Sequence, residues 1–149
     1  RAQRPDALQG NTRVLAWLRL ARALKLQMPT PWLAPFLTPE QDTEVLIAAI
    51  RLVQGEQGAD LVAAQATHAD WRVRAQAARA LGYIGGMQEV PLLLQLVTDA
   101  QWWVRYRAAQ ALLRIPGMVQ SQVLERVTAT GDRYALSMLN AVLAEGGRA

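Results

Sequence analysis

The fold is decided by a stretch that reads Trp71-Arg72-Val73-Arg74-Ala75-Gln76-Ala77-Ala78-Arg79-Ala80-Leu81-Gly82, with a related stretch 31 residues later: Trp102-Trp103-Val104-Arg105-Tyr106-Arg107-Ala108-Ala109-Gln110-Ala111-Leu112-Leu113. Tryptophan, valine, arginine and a group of alanines ending in leucine occupy the same places in both. Breaker residues follow each copy, as Gly85-Gly86 and as Pro116-Gly117. A period between about 20 and 50 residues is typical of stacked supersecondary units, so the chain is predicted to be a repeat protein.

Helical periodicity extends the repeat in both directions. A diverged copy is predicted at 39–54, starting at Thr38-Pro39, and another at 133–145. Shorter helices are predicted between the copies, at 58–67, 88–98 and 118–129. Aspartates precede three of the predicted helices and could cap them, at Asp70, Asp99 and Asp132. The predicted fold class is all-α: an α-solenoid of about three and a half helical-hairpin repeats with an extra N-terminal helix.

The first part of the chain lies outside this pattern. Residues 1–10 are predicted to be a loose lead-in and 12–27 a basic helix. Four prolines then interrupt the chain, and because proline lacks a backbone donor we expect an irregular connection there. We therefore predict a segment 1–38, containing the basic helix and the proline-rich connection, ahead of a repeat domain 39–149.

Composition excludes several classes of protein. Of 149 residues, 52% are apolar and none is cysteine, which excludes a disordered chain, a disulfide framework and a thiolate metal site. No apolar run reaches the roughly 18 residues of a membrane-spanning helix. The formal charge of +4 comes from residues 1–30, which carry six basic side chains and one acidic one. Because the chain begins with Arg1, we expect it to be a piece of a longer protein.

The pattern Trp-x-Val-Arg-x-x-Ala-Ala-x-Ala-Leu-Gly-x-Ile-Gly at 71–85 resembles the HEAT repeats, and its short period is most similar to the bacterial phycobilisome-lyase-like HEAT repeats. The resemblance implies that Val73 and Val104 lie in the core. It also implies that Arg74 and Arg105 join a ladder of hydrogen bonds with acidic residues of adjacent units, with Asp99 as the candidate partner of Arg105. HEAT proteins mostly bind other proteins.

Side chains for catalysis or metal binding are scarce. His68 is the only histidine, and Ser121 and Ser137 are the only serines. A serine–histidine pair or a histidine metal cluster therefore lacks partners, and no phosphate-loop glycine motif is present. We expect His68 to be a loop or cap residue, and we expect the chain to have no enzymatic activity and no cofactor.

One alternative is a nucleic-acid-binding protein of the alkylated-base glycosylase type, in which a HEAT-like solenoid uses tryptophans and a carboxylate in a basic groove. Trp71, Trp102 and Trp103, which have arginines beside them, resemble that arrangement. The near-neutral balance of residues 31–149 argues against a nucleic-acid surface. The shared repeat position of Trp71 and Trp102 also favours packing over base binding. A bilin lyase is a minor alternative, because no residue supports covalent bilin chemistry.

The outward face of helix 102–113 differs from the equivalent faces of the preceding copies, which are polar or small. Tryptophan, tyrosine and arginine are enriched at binding hot spots. The residues predicted to bind a protein partner are Trp103, Tyr106, Arg107, Gln110 and Leu113. The competing interpretation is that the linker around Trp32 or Phe36 covers this patch.

The basic N-terminal helix has two interpretations. It could cap the first repeat, since solenoids need atypical end units, or it could contact an anionic membrane surface. The residues predicted for that contact are Arg13, Arg19, Arg22 and Lys25. The sequence thus predicts a non-catalytic protein-interaction scaffold, part of a larger, membrane-tethered bacterial protein in the cytoplasm or on the cytoplasmic face of the inner membrane.

Overall fold

The structure is a computed structural model that describes residues 10–146. Within that range the chain is helical and contains no strand. Nine α-helices follow one another in the described residues: α1 (Asn11–Ala23), α2 (Thr30–Leu33), α3 (Thr43–Ile50), α4 (Ala59–Ala63), α5 (Trp71–Ile84), α6 (Val90–Leu96), α7 (Trp102–Arg114), α8 (Gln120–Ala129) and α9 (Arg133–Gly146). The predicted lead-in 1–10 lies outside the described residues except for Gly10.

Two layers of helices build the fold. The row of longer helices contains α5, α7 and α9, each of 13 or 14 residues, together with α3 of 8 residues, and each helix is in contact with the next. The second layer contains α4, α6 and α8, and each of these packs on the helix that follows it. Helix α1 packs against α3 and so continues the row of longer helices. The predicted all-α solenoid is confirmed.

The repeated positions face inward. Val73, Ala77 and Leu81 of α5 are fully buried, and so are their counterparts Val104, Ala108 and Leu112 of α7. In the diverged copies Leu46, Ala49 and Leu139 are equally buried. Small residues at these positions let neighbouring helices approach closely, while the larger ones fill the space between layers.

The closest approach of two helices is at Gly82 of α5. A Cβ atom at this position would lie 2.8 Å from the Cα of Ala111 in α7 and 3.0 Å from its Cβ. The backbone of α7 therefore occupies the space that any larger residue at 82 would need.

Replacing Gly82 with alanine should consequently lower the free energy of unfolding by about 1 kcal/mol. Overpacking costs about 1–3 kcal/mol and outweighs the gain of about 1 kcal/mol that alanine brings to a helix interior. Urea denaturation would measure the change. Gly146→Ala is the control, because no atom of residues 10–146 lies within 4 Å of its added Cβ, and an equal response of the two variants would contradict close packing at Gly82.

Several predicted helix boundaries are wrong, including the predicted ends at 54 and 67, because α3 ends at Ile50 and α4 at Ala63. Helix α3 begins at Thr43, because the Asp42 carboxylate accepts the backbone N–H of Glu44 at 3.0 Å, so Asp42 rather than Thr38 is the cap. Helix α1 ends at Ala23, well before the predicted residue 27. Lys25 has a φ of 55°, and the backbone N–H of Leu26 reaches back to the Ala21 carbonyl, an arrangement that closes the helix.

The proline-rich connection contains the short helix α2, which the sequence did not predict. Its second residue is Pro31, a position where the missing N–H leaves no helical bond unmade. Leu33, Phe36 and Leu37 from this connection are buried in the core. The Leu37 carbonyl accepts a hydrogen bond from Gln65 Nε2 at 3.0 Å, which fixes the connection to the segment after α4.

Arginines hold the loops between units. Nη1 of Arg74 donates to the carbonyls of His68 and Ala69, and Nη1 of Arg105 donates to those of Asp99 and Ala100. The predicted pairing of Arg105 with the Asp99 side chain is wrong, because that carboxylate binds the arginine of the preceding unit. Asp99 accepts from Arg74 Nε at 2.9 Å and from Nη2 at 3.1 Å.

The equivalent position one repeat later is Thr130, which offers no carboxylate to Arg105. The Nε of Arg105 is buried and meets no acceptor within residues 10–146. The ladder between units therefore has a single complete rung in the described part of the chain, formed by Arg74 and Asp99.

Candidate functional site

A groove runs across the row of longer helices. Its volume is about 710 Å³, and its walls come from α1, α3, α5 and α7. The residues that line it are Leu18, Arg19, Arg22, Ala23, Glu44, Ile47, Ala48, Arg51, Trp71, Arg72, Ala75, Gln76, Trp103 and Arg107. The N-terminal helix thus helps to form a surface shared with the two strongest repeats.

The groove is strongly basic. Five arginines line it, and Glu44 is the single carboxylate among the lining residues. Glu44 lies 3.3 Å from Arg19 and 3.4 Å from Arg72, in exposed ion pairs of a kind that contribute little to stability. No ion pair within residues 10–146 neutralises Arg22, Arg51 or Arg107. These guanidinium groups are therefore available to an anionic ligand.

Arg51 is held in the groove by a hydrogen bond to a neighbouring helix. Its Nε donates to Gln76 Oε1 at 3.2 Å, which orients the guanidinium. Burial lowers the pKa of Arg51, and the positive charges of Arg22, Arg79 and Arg19 lower it further, against the opposite effect of Glu44. The charge of Arg51 is thus disfavoured in the free protein and would be stabilised by a bound anion.

The predicted partner-binding residues do not form one surface. Trp103 and Arg107 line the groove, and the Trp103 side chain is 50% exposed. Gln110 and Leu113 line a different hollow between α7 and α9, together with Val142 and Leu143. The reason is that α7 packs between α5 and α9. Part of its outward face therefore lies beside α5, and the rest lies beside α9.

Tyr106 lies among aromatic side chains at the start of α7. Its ring stacks on Trp102 at 5.1 Å and meets Trp103 edge to face at 5.8 Å. Its hydroxyl lies 2.9 Å from the Glu145 carboxylate, and hydrogen bonding to Glu145 raises the pKa of Tyr106. Trp102 is 49% exposed, so the expectation that it packs like Trp71, which is half-buried against the core, is wrong.

The basic residues of α1 and of the turn that follows it are also divided. Arg19 and Arg22 line the groove, whereas Arg13 and Lys25 are exposed and are not among the residues that line it. Val14, Leu18 and Ala21 of the same helix are buried, which agrees with a helix that caps the first repeat. The linker does not cover Trp103, because Phe36 is buried within the core and Trp103 stays half exposed.

Arg51 and Gln76 were not predicted as site residues. Arg51 occupies the outward repeat position of Gly82 and Leu113, where a polar residue is ordinary, so only Gln76 carried a signal. Gln76 is a polar residue that is 9% exposed, in a helix whose inward face is otherwise apolar. A buried polar residue of this kind often indicates a functional or ordering role.

His68 lies in the loop before α5, as predicted, and its Nδ1 accepts the backbone N–H of Asp70 at 2.9 Å. No group of three or more histidine, cysteine, aspartate or glutamate side chains within residues 10–146 could hold a metal ion. In the same range, no helix is long and apolar enough to cross a membrane.

Asp70 beside the groove has a pH-dependent role. It caps α5 by accepting the Arg72 N–H, and hydrogen bonding to the Arg72 side chain lowers its pKa from 3.8 to about 2. Because the folded-state pKa is depressed, its contribution to stability is present above about pH 4 and is lost as the pH falls towards about 2.

We therefore expect the Tm of the wild-type chain to fall more steeply across this pH window than the Tm of Asp70→Asn. Asparagine keeps the capping oxygen but has no charge for Arg72. Calorimetric scans of both chains between about pH 5 and pH 2 would measure the difference. Parallel curves would show that the Asp70–Arg72 pair contributes nothing to stability.

A row of helical hairpins with a groove across one helical layer defines an α-solenoid repeat protein. The family model of the HEAT repeats matches residues 30–112 and 58–143, and the chain belongs to the HEAT-repeat family. The first match begins at residue 30 and includes α2 and the proline-rich connection. No curated protein and no solved structure matches the chain.

Proposed function

We propose that this chain is a non-catalytic scaffold that docks a partner protein in the basic groove formed by α1, α3, α5 and α7. The observation that carries the proposal is a groove of about 710 Å³ whose walls hold arginines without carboxylate partners next to the half-exposed Trp103. Tryptophan and arginine provide most of the binding energy at many protein interfaces. A negatively charged surface of the partner would complement the groove.

The arrangement of the lining residues fits a protein ligand. Ile47, Ala48 and Ala75 form an apolar floor, while Arg22, Arg51 and Arg107 supply the charge. A desolvated apolar centre with polar groups around it is the usual anatomy of a protein interface. The packing of α1 against α3 matters here, because α1 supplies two of the five arginines of the groove.

The finer assignment is also part of the proposal. We place the chain with the bacterial phycobilisome-lyase-like HEAT repeats, within a larger, membrane-tethered protein at the cytoplasmic face of the inner membrane. Exposed Leu20 on α1 and exposed Leu24 just after it, with Arg13 and Lys25 in the same segment, support contact with an anionic membrane surface. Sedimentation with anionic vesicles tests this contact, since a Leu20→Ser/Leu24→Ser variant that sediments like the wild-type chain would contradict it.

Partner capture tests the docking role. The tagged chain would be used to capture proteins from native cells after nuclease treatment, in parallel with a Trp103→Ala/Arg107→Ala variant. Trp103 is half exposed and Arg107 forms no ion pair within residues 10–146, so we expect the variant to stay folded and to retain a given partner about tenfold less well or worse. Leu124→Ala on α8 is the control, because Leu124 is exposed and distant from the groove-lining set. Equal capture by all three chains would refute docking in the groove.

Binding of nucleic acid is the second candidate, because the groove combines arginines with Trp71 and Trp103. Residues 31–149 are close to neutral, but Arg19 and Arg22 of α1 add positive charge to the groove. This added charge favours a nucleic-acid ligand. An alkylated-base glycosylase would need a carboxylate in the groove, and Glu44 is the candidate. Duplex DNA should then bind with a steep dependence on salt concentration, and Glu44→Gln should abolish release of the alkylated base. Weak binding without base release would exclude that activity.

A further inference from the structure

A second hollow adjoins the groove beside α1, α3 and α5. Its volume is about 280 Å³, and it is lined by Arg22 of α1, Arg51 at the end of α3 and Arg79 of α5, together with Gln76 and Tyr83. Arg22, Arg51 and Gln76 also line the groove, so the two spaces share part of their walls. The hollow is therefore a lateral extension of the proposed docking surface.

The hollow concentrates positive charge. Among the described residues, its lining includes three arginines and no acidic residue. Within residues 10–146 none of these arginines forms an ion pair. Like charges this close repel one another, and they lower the pKa of Arg51 after the larger effect of its burial. Such repulsion destabilises the free protein, so the cluster is better explained by a ligand than by folding.

Hydrogen-bond donors are also unused in the hollow. Gln76 is 9% exposed, its Oε1 is taken by Arg51, and its Nε2 meets no acceptor in the described part of the chain. Arg79 lies over the ring of Tyr83 at 5.3 Å, which holds the arginine at the wall of the hollow. A buried amide donor without a partner is uncommon, and an anion that reached it would complete its hydrogen bonding.

We propose that Arg22, Arg51, Arg79 and Gln76 form an oxyanion site that binds the phosphoryl group of a phosphorylated segment of the partner protein. A phosphoryl group carries close to two negative charges at neutral pH and presents three acceptor oxygens. A planar carboxylate has one charge and two oxygens, and would leave most of the charge of the hollow unbalanced. Guanidinium groups match the geometry of phosphate oxygens, and arginine clusters are a recurring means of reading phosphorylated peptides.

This inference rests on the proposed function for the existence of a partner, but the site itself can be tested alone. Calorimetric titrations would use a short phosphoserine peptide with glycine and alanine flanks, its unphosphorylated serine form and its glutamate form. We expect the phosphoserine peptide to bind at least about tenfold more tightly than either of the others, on the strength of charge-assisted hydrogen bonds.

Variants show whether the hollow is responsible. Arg51→Met and Arg22→Met should each weaken phosphopeptide binding by about tenfold or more, while Arg126→Met on the exposed α8 should leave it unchanged. The side chain of Arg22 makes no ion pair or hydrogen bond within the described residues, so its replacement is expected to leave the fold intact. Inorganic phosphate at matched ionic strength should raise the Tm of the wild-type chain but not that of Arg22→Met.

Equal binding of the three peptides, or wild-type affinity in both hollow variants, would overturn the proposal. Free phosphate that binds while the phosphopeptide does not would also overturn it, because the group would then not come from a partner segment. These results are separate from the fate of the proposed function. A partner captured through Trp103 without any phosphoryl dependence would leave the scaffold intact and refute only the oxyanion site.

Discussion

Replacing Asp99 with alanine is expected to lower the free energy of unfolding by about 3 kcal/mol, because it leaves the Arg74 guanidinium without its counter-charge. The two side chains are mostly buried, with 19% of Arg74 and 12% of Asp99 exposed, and two hydrogen bonds join them. The pair connects consecutive repeats, so its loss weakens an interface between units as well as a loop. Urea denaturation followed by circular dichroism would measure the change.

Thr130→Ala provides the matched control one repeat later. Thr130 takes the position of Asp99 but forms no rung with Arg105, so its replacement should cost only about 1 kcal/mol for two local hydrogen bonds, one donated to the Val127 carbonyl and one accepted from the Asp132 N–H. Similar losses in the two variants would mean that the Arg74–Asp99 rung adds nothing beyond local turn structure.

Replacing Leu18 with alanine is expected to destabilise the chain by about 3 kcal/mol, within the usual range for a buried leucine. Leu18 of α1 is 1% exposed and belongs to the same core cluster as the repeats. If α1 is an integral part of the helical row, its core residue should affect the unfolding of the whole chain. A single cooperative transition with a lower midpoint is the expected result.

Leu20→Ala on the same helix is the control. Leu20 is 55% exposed, so its replacement should change stability by less than about 0.5 kcal/mol. A Leu18→Ala chain as stable as Leu20→Ala would show that α1 does not cap the solenoid. The groove would then lose one of its walls, and with it the basis for assigning a role to Arg19 and Arg22.

The inward residues could be predicted because the repeat defines them. Val73 and Val104 occupy equivalent positions, and a repeat that stacks on its neighbours buries equivalent positions alike. The starts of helices were less predictable because several residues competed locally. Thr38 and Asp42 both suit a helix cap, and the turn that joins the Gln41 N–H to the Thr38 carbonyl decided in favour of Asp42.

The groove could not be predicted because it depends on how α1 packs. Nothing in the repeat indicates which way a helix outside the repeat is rotated, so Arg19 and Arg22 could not be placed beside Trp103 from sequence. The same limit explains the predicted docking surface on α7. The outward face of α7 was correctly distinguished from the buried face of the same helix. Because α5 and α9 lie on either side of α7, however, only Trp103 and Arg107 of the predicted residues reach the groove.

Site-specific photocrosslinking in native cells tests docking in the groove most directly. A photoreactive phenylalanine would replace Trp103 in one chain and Leu124 of α8 in another, and adducts would be resolved by denaturing electrophoresis and mass spectrometry. The account predicts a discrete protein adduct at position 103, none at position 124, and loss of the adduct when Arg22 and Arg51 are also replaced with methionine. Equal adducts at both positions, or an adduct at 103 that a nuclease removes, would contradict it.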